Sequence, residues 1–189
     1  RRLVRLARET KVATQMANER YSAPTVREAV EWLRDGCIGA VREVRCWTSR
    51  PDWSQGMARR PGKAAPPDGL DWDLWLGPAP ERPFHTAYHP YTWRGWRDFG
   101  TGALGATGCH TLDGAYWALD LAEAKTVTVE PDAEGLSAEA WPTASTVRYR
   151  FGPRGDLPPV TLTWQDGGRR PPRPEVMPET RVFMGSAGT

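Results

Sequence analysis

Residues 100–119 read GTGALGATGCHTLDGAYWAL, a glycine-rich stretch that predicts a helix over 102–119. Apolar side chains recur behind the glycines at helical spacing, namely Leu112, Ala115, Tyr116 and Leu119. Because glycine lacks a Cβ, the backbone and a ligand can approach each other closely. The stretch therefore predicts that His110, on the first turns of this helix, faces a place where a substrate can bind.

His110 and Asp113 are three residues apart, so they share one face of the predicted helix. Histidine is the side chain most easily poised for proton transfer near neutral pH, which favours an acid or base role. The competing interpretation is a buried histidine that donates to a backbone carbonyl and packs the helix. The residues alone leave both interpretations open.

Five short sequence motifs are spread in order over nearly the whole chain. They are TQMAN at 14–18, DWDLWLGPAP at 71–80, WRGWRDFGTG at 93–102, GCH at 108–110 and LPPVTLTWQDGG at 157–168. Together they resemble the bacterial branch of the glucose-fructose oxidoreductase, inositol dehydrogenase and MocA (Gfo/Idh/MocA) family. The resemblance implies a dehydrogenase in which a Rossmann domain binds NAD or NADP and a second α/β domain presents a sugar or polyol.

The resemblance divides the chain into two parts. Residues 1–20 correspond to a remnant of the NAD(P)-binding Rossmann domain, and residues 21–189 to a substrate and oligomerisation domain that is incomplete at its C-terminus. We find no Gly-x-Gly-x-x-Gly turn between a predicted strand and a helix, and no Glu-Lys-Pro segment with the family's catalytic lysine. We therefore expect that this chain alone binds no cofactor tightly and is catalytically inactive, and that NAD or NADP binds elsewhere in the parent protein.

The same resemblance makes His110 the catalytic residue. Dehydrogenases of the family typically read Gly-Asp-x-Gly-x-His, and the aspartate position is Ala106 in this chain. A carboxylate one turn before the histidine would orient the imidazole and stabilise its charged form. Its replacement means that the chemistry has changed, that another group substitutes, or that this chain no longer catalyses.

The segment 83–99 is aromatic and polar, which suits the edge of a carbohydrate or cofactor site, because rings stack on apolar sugar faces and arginines bind oxygens. The predicted substrate-binding residues are Tyr88, Trp93, Arg94, Arg97 and Asp113. The predicted cofactor-binding residues are Gln15, Asn18, Trp93 and Arg94. Alternatively, Trp93 and Arg94 only brace the helix that follows. A metal site at His85 and His89 is not expected, because prolines interrupt the segment and no third ligand is obvious.

The predicted fold class is α+β, with an open, mainly antiparallel or mixed sheet covered on one face by helices. Strands are predicted at 38–47, 125–130, 145–151, 160–165 and 181–184, and turns at 132–135, 152–156 and 166–174. Helices are predicted at 1–9, from Pro24 to Asp35, and as a short turn at 71–76 whose tryptophans anchor the connection, while 11–16 is a β-rich run and 49–67 a long loop. In family terms this is a dihydrodipicolinate-reductase-like C-terminal domain with a Rossmann remnant at its N-terminus. Its open sheet face implies a homo-oligomer.

The composition of the chain argues against certain classes of binding partner and against disulfide bonds. The 25 basic and 23 acidic residues give a net charge of +2, which is too small to indicate a nucleic-acid surface. An odd set of three cysteines, Cys37, Cys46 and Cys109, argues against a disulfide framework and favours a reduced, cytoplasmic location. No segment approaches the ~20 apolar residues of a membrane span, so a membrane partner is not expected.

Three functions compete on these observations. The first is the substrate-domain portion of an NAD(P)-dependent oxidoreductase acting on a sugar, inositol or related polyol, with His110 transferring the proton. The second is an NAD-dependent glycosidase of the same family. The third is a catalytically silent sugar-binding or assembly module, which Ala106 and the missing lysine favour.

Overall fold

The computed structural model describes residues 2–15, 22–171 and 180–189. Its α-helices are α1 (Arg2–Thr10), α2 (Pro24–Arg34), α3 (Trp72–Leu76), α4 (Gly102–Thr111) and α5 (Asp113–Ala118). Its strands are β1 (Val41–Trp47), β2 (Val127–Glu134), β3 (Ala144–Phe151), β4 (Val160–Asp166) and β5 (Thr180–Gly185). Short 3₁₀ helices cover Thr92–Gly95 and Leu121–Glu123. None of the described helices is long and apolar enough to cross a membrane.

The five described strands form one sheet in the order β2-β3-β4-β1-β5. β1 and β4 pair in parallel, and the other three neighbouring pairs are antiparallel. Antiparallel neighbours can follow one another through short turns, as β2, β3 and β4 do, whereas a parallel pair needs a long crossover. Here the crossover from β1 to β4 contains α4 and α5, so the sheet is mixed, as predicted.

The core lies on one face of this sheet. Inward side chains of β1, β3 and β4 meet α2 and α5 there, and the buried members include Val30, Val44, Cys46, Ala115, Ala118, Val147, Phe151, Leu162 and Trp164. The opposite face carries polar side chains at alternate positions, such as Glu43, Arg45, Arg148, Arg150, Thr161 and Thr163. This confirms the expected sheet with helices on one face.

The predicted helix over 102–119 is divided at Leu112. That residue keeps right-handed helical dihedrals, and its N–H still donates to the carbonyl of Gly108, so α5 continues close to the line of α4. The prediction that His110 stands on the first turns of the helix is wrong. Because α4 already begins at Gly102, His110 lies in its last turn, beside the junction with α5.

Two further predictions need correction. Lys11 has a positive φ of 55°, which turns the chain away from helix α1, and residues 12–15 form no strand. Met16 lies outside the described residues. The turn expected at 132–135 begins later, because β2 continues to Glu134 and pairs there with Ala144. The helix at the N-terminus is confirmed, whereas the division into parts 1–20 and 21–189 stays a prediction.

Candidate functional site

The junction of α4 and α5 brings His110 and Asp113 together on the helical side of the sheet. The His110 side chain is half-buried, and its Nδ1 is buried without a hydrogen-bond partner among the described residues. Buried polar atoms are normally paired, so an unpaired ring nitrogen needs a reason other than packing. The packing interpretation expected a bond from the imidazole to a backbone carbonyl, and the described part of the chain shows none.

Asp113 is the partly buried first residue of α5. Burial raises the pKa of the Asp113 carboxyl above its ordinary value, while the positive charges of Arg181 and His110 act in the opposite direction. The carboxylate therefore interacts electrostatically with an imidazole and a guanidinium. Groups whose pKa is shifted by burial together with nearby charges are frequent at functional sites.

Arg181 comes from β5, at the edge of the sheet. It pairs in register with Cys46, whose side chain faces the helices, so the Arg181 side chain points toward them as well. Its guanidinium lies against the backbone of Gly114, where a Cβ would come within 2.8 Å of Cζ. The edge strand therefore delivers a cation to the start of α5.

Cys46 forms the floor of this site. Its thiol donates to the carbonyl of Thr111, with Sγ 3.9 Å from the oxygen, and so provides a partner at the C-terminal end of α4. Burial raises the pKa of the Cys46 thiol to about 12, and the nearby charge of Arg181 only partly opposes this. Cys46 is thus a neutral packing residue here and not a nucleophile. We refer to His110, Asp113, Arg181 and Cys46 as the His110 cluster.

Arg181 is the charged member of the cluster that the sequence analysis did not predict; Cys46, its packing residue, was not predicted either. The signal lay in the alternation of residues 181–184: Phe183 is apolar and points inward, so Arg181 two residues earlier must point inward too. An inward charge on a short strand is unusual enough to mark a functional position.

Tyr88, a predicted substrate ligand, is only 1% exposed. Its ring packs edge-on against Trp96 and Phe99, with centroids 4.9 Å and 5.2 Å away. This burial leaves the ring no free face for a ligand, so we correct the assignment and place Tyr88 in the packing of segment 83–99. The aromatic composition of that segment gave no indication of which rings are covered.

Trp93 and Arg94, both predicted to bind substrate and cofactor, contact each other. The Arg94 guanidinium lies 4.5 Å from the ring centroids of both Tyr91 and Trp93, and its Nη1 donates to the carbonyl of Tyr91. A Cβ at Gly100 would lie 2.5 Å from the Cα of Arg94, which locates this pair beside the start of α4. His110 is eight residues beyond Gly102, about 12 Å along the helix axis. These contacts favour the alternative in which Trp93 and Arg94 brace the helix.

Arg97, also predicted to bind substrate, is exposed and engaged at the same end of α4. Its Nε donates to the carbonyl of Ser137 at 3.0 Å, and its guanidinium lies 4.5 Å from the centroid of the Trp141 ring. A Cβ at Gly102 would meet Trp141 at 2.8 Å, so Trp141 joins Arg97 to the first turn of α4. Of the predicted substrate residues, the structure thus brings only Asp113 to His110.

Residues 100–105 have the spacing Gly-x-Gly-x-x-Gly and lead into α4, as a dinucleotide-binding turn would. A dinucleotide-binding turn follows a strand, whereas a 3₁₀ helix at Thr92–Gly95 comes before this one. Cβ atoms at the three glycines would collide with this chain's own residues, namely Arg94, Trp141 and Thr101. The glycines therefore permit internal packing, and the residues do not fit a pyrophosphate.

The other predicted cofactor residues give no such cradle. Gln15 is exposed in a segment without regular structure, and Asn18 lies outside the described residues. The two histidines four residues apart have contacts within the protein: His85 Nδ1 accepts from the N–H of Ala87, and the His89 ring packs edge-on against Trp75. Among the described residues, no group of three or more His, Cys, Asp or Glu side chains could hold a metal ion.

Comparisons with known proteins agree with this architecture. Residues 40–156 match the model of an oxidoreductase family, specifically the C-terminal alpha/beta domain of Gfo/Idh/MocA proteins. The chain is similar to the crystal structure of an oxidoreductase from Thermotoga maritima, with a TM-score of 0.52 and 13% sequence identity. That similarity covers 98% of this chain and 44% of the other, so the chain spans less than half of that protein. A search of curated proteins found no match.

Proposed function

This chain belongs to the Gfo/Idh/MocA oxidoreductase family, and from that premise we propose that it is the substrate-domain portion of an NAD(P)-dependent oxidoreductase. The proposed substrate is a sugar, inositol or related polyol, and His110 is the proposed proton-transfer residue. The observation that carries the proposal is the unpaired, buried Nδ1 of His110 beside Asp113 and Arg181. Because no described residue bonds Nδ1, packing alone does not account for this imidazole, which favours a chemical role for its other nitrogen, Nε2.

Oxidation of an alcohol requires that its hydroxyl proton be removed, and a positioned histidine can accept it. Because Nδ1 is the buried nitrogen, Nε2 is the atom that we assign to this proton. Asp113 supplies a negative charge that stabilises the imidazolium formed in the step. Burial raises the pKa of Asp113, and the Arg181 guanidinium partly opposes this effect because its positive charge favours the carboxylate.

The nicotinamide cofactor is proposed for another part of the parent protein, where it would accept the hydride. The glycines at 100–105 do not fit a dinucleotide, so we assign no hydride step to the residues described here. What this chain contributes is the binding of the hydroxyl-bearing substrate and the transfer of its proton. Dehydrogenases divide the work in this way, with the cofactor supplying the hard chemistry and the protein its positioning.

The proposal extends to assembly. The sheet face opposite the helices is open and polar, and it carries ion pairs such as Arg150 to Glu130, joined by two bonds of 3.0 Å. A polar, hydrogen-bonded face suits contact between two copies of a protein that are each folded on their own. We propose homo-oligomer formation through this face, and a cytoplasmic location stays a prediction from the cysteine content.

One observation favours a second candidate, a catalytically silent sugar-binding or assembly module. Ala106 lies one turn before His110 on α4, where a side chain would reach the imidazole. With alanine there, Nδ1 has no carboxylate partner among the described residues. An imidazole that is not oriented by a second group is less well positioned to accept a proton from a substrate.

The test uses the full parent protein. Oxidation of glucose, other pyranoses and myo-inositol is followed through the absorbance of NADH or NADPH. We expect His110→Ala to lower kcat about 10²- to 10⁴-fold, the usual contribution of a general base. Cys109→Ser is the matched control, because Cys109 is an exposed neighbour on the same helix.

Retained turnover in a folded His110→Ala protein would exclude the proton-transfer role. If the parent protein binds sugars and the cofactor but oxidises none of the polyols, the silent module is correct instead. Equal losses in His110→Ala and Cys109→Ser would indicate damage to α4 and would also count against a specific role for the imidazole.

A further inference from the structure

A trough of about 480 Å³, which we name the β2 trough, lies between the first turn of α4 and strands β2 and β3. Its walls are mainly apolar and include Leu104, Pro131, Ala133, Leu136, Trp141 and Val147. This volume is within the range of small-molecule sites, about 300–1,000 Å³. The trough contains no residue of the His110 cluster, so it is a second place on the chain to consider for binding.

Small residues on both sides keep the β2 trough open. Pro131 and Ala133 of β2 pair with Val147 and Ser145 of β3, so they face the helical side of the sheet. On the opposite side, α4 presents Gly105, which has no side chain to fill the space. The sheet is therefore left without a covering helix at this point.

Ser145 and Asp166 lie at the bottom of the trough, and Asp166 is only 3% exposed. Its carboxylate accepts from the N–H and hydroxyl of Ser145 and from Nε1 of Trp164. These donors favour the charged form and so oppose the effect of burial, which raises the pKa of Asp166. Among the described residues, Oδ1 accepts only from the Ser145 N–H, so it can accept another hydrogen bond.

This buried carboxylate lacks a cation in direct contact, since none of the ion pairs between described residues includes it. The positive charge of Arg169 acts on Asp166, but the Arg169 guanidinium forms its ion pairs with Asp132 and Glu134. Arg97, the cation in the lining, donates to the carbonyl of Ser137 and lies over the Trp141 ring. Because carboxylates are almost never fully buried without a partner, a positive group in the trough would complete this arrangement.

We infer that the β2 trough binds a primary ammonium group that carries an apolar body, as in an arylalkylamine. The ammonium donates to Oδ1 of Asp166 and supplies the positive charge that the carboxylate lacks. The apolar body lies against Leu104 and Val147 and leaves water on binding. A metal ion is disfavoured, because a single carboxylate offers too few oxygen ligands. The inference does not rest on the proposed reaction, because His110 takes no part in it.

The experiment is a ¹H–¹⁵N NMR titration of the full chain with 2-phenylethylamine as the probe. 2-Phenylethanol is the neutral analogue, since it has the same ring and chain but no positive charge. We expect the amine to shift the amide signals of Ser145, Ala133 and Leu104. We also expect it to bind about 10-fold more tightly than the alcohol, because a charge-assisted hydrogen bond is stronger than a neutral one.

Two variants test the apolar wall and the charge separately. Ala133→Leu fills the trough, and we expect it to weaken binding of the amine by about 5-fold or more. Thr128→Leu is the matched control, because Thr128 is exposed on the other face of the same strand. Asp166→Asn removes the charge, and we expect the folded variant to bind the amine no better than the alcohol.

The dispersion of the amide signals establishes that each variant is folded, and the comparison of amine with alcohol on the unmodified chain does not depend on any variant. The inference is overturned if the amine binds no more tightly than the alcohol or does not bind. It is also overturned if Ala133→Leu and Thr128→Leu bind the amine equally well. Shifts confined to residues around His110 would place the amine in the His110 cluster and would likewise contradict it.

Discussion

The guanidinium of Arg181 lies directly against the backbone of Gly114, so that the edge strand β5 and the start of helix α5 are in close contact. The guanidinium can occupy this position because residue 114 is a glycine, since a Cβ there would come within 2.8 Å of Cζ. The contact places Arg181 where its charge acts on Asp113. The effect of the Arg181 charge on Asp113 thus depends on the space that Gly114 leaves.

The first prediction is that Gly114→Ala displaces Arg181. Alanine has the higher helix propensity, by about 1 kcal/mol, and the atoms that its Cβ would meet are the end of a flexible arginine side chain, which can move away. We therefore expect the free energy of unfolding to change by less than about 1 kcal/mol, while the guanidinium leaves its place beside α5. The pKa of Asp113 should rise further, because the nearby positive charge that opposes burial is weakened.

Urea denaturation measures the stability and NMR titration of the Asp113 carboxyl carbon measures the pKa. Gly62→Ala is the control, since a Cβ at Gly62 would meet nothing within 4 Å. An Asp113 titration that is the same in Gly114→Ala and in the unmodified chain would show that Arg181 does not act through this contact.

Most of the fold could be predicted from local patterns. The alternation of apolar and polar residues identified β1, β3 and β4, and helical spacing with Pro24 at the start identified α2. The strand pairing could not be predicted in the same way, because the parallel pair of β1 and β4 depends on a crossover of more than a hundred residues. Register between distant strands has no local signature.

The site was predictable only where its residues are close in sequence. His110 and Asp113 share a helix face by spacing alone, but Arg181 reaches them across about 70 positions and only through the register of β5. Tyr88 shows the opposite error, because composition identifies an aromatic segment without telling which rings are buried. The glycines at 100–105 fit a nucleotide motif by spacing, and only their contacts reveal internal packing.

The second prediction concerns Ala106→Asp. A carboxylate one turn before His110 would give the unpaired Nδ1 an acceptor, because residues four apart on a helix are neighbours. We expect the Nδ1-protonated tautomer of His110 to increase, and turnover of the full parent protein to rise if the scaffold is active. Nitrogen-15 NMR of the ring reports the tautomer, and the same oxidation assay reports turnover.

Ala106→Asn provides the control for that substitution, since an amide of equal size lacks the charge. A larger Nδ1-protonated fraction without any gain in turnover would favour the silent module. If neither quantity changes, the carboxylate does not reach the imidazole, and the explanation of the unpaired nitrogen by Ala106 is wrong.

The third prediction separates the cysteines by reactivity. Cys37 and Cys109 are exposed, whereas Cys46 is fully buried and burial raises its pKa to about 12. The thiolate is the reactive form of cysteine. Cys46 should therefore be unreactive for two reasons, because the reagent cannot reach it and because its thiol stays protonated. Ellman's reagent should therefore modify two thiols in the native chain and the third only in denaturant. Rapid modification of Cys46 in the native chain, identified by mass spectrometry, would mean that β1 and α4 separate readily.

The last prediction concerns Asp166, at the end of β4. The carboxylate is buried and accepts three hydrogen bonds, from the N–H and hydroxyl of Ser145 at 2.7 Å and 2.9 Å and from Nε1 of Trp164 at 2.8 Å. Burial raises the pKa of Asp166 above its ordinary value, and these bonds and the charge of Arg169 only partly oppose it. The native state therefore binds the Asp166 proton more tightly than the unfolded chain does.

It follows that the contribution of Asp166 to stability is greatest below the unfolded pKa, about 3.9, and is lost as pH rises through the raised native pKa. Asp166→Asn removes this dependence of stability on pH. It also places an amide NH₂ group, which cannot accept, next to the donors of Ser145 and Trp164. We expect the variant to lose about 1–3 kcal/mol at neutral pH, the cost of leaving a buried polar group unpaired. Urea denaturation between pH 4 and pH 8 measures both effects, with the exposed Asp156→Asn as control. A variant as stable as the unmodified chain at neutral pH would show that these three hydrogen bonds do not hold β3 to the end of β4.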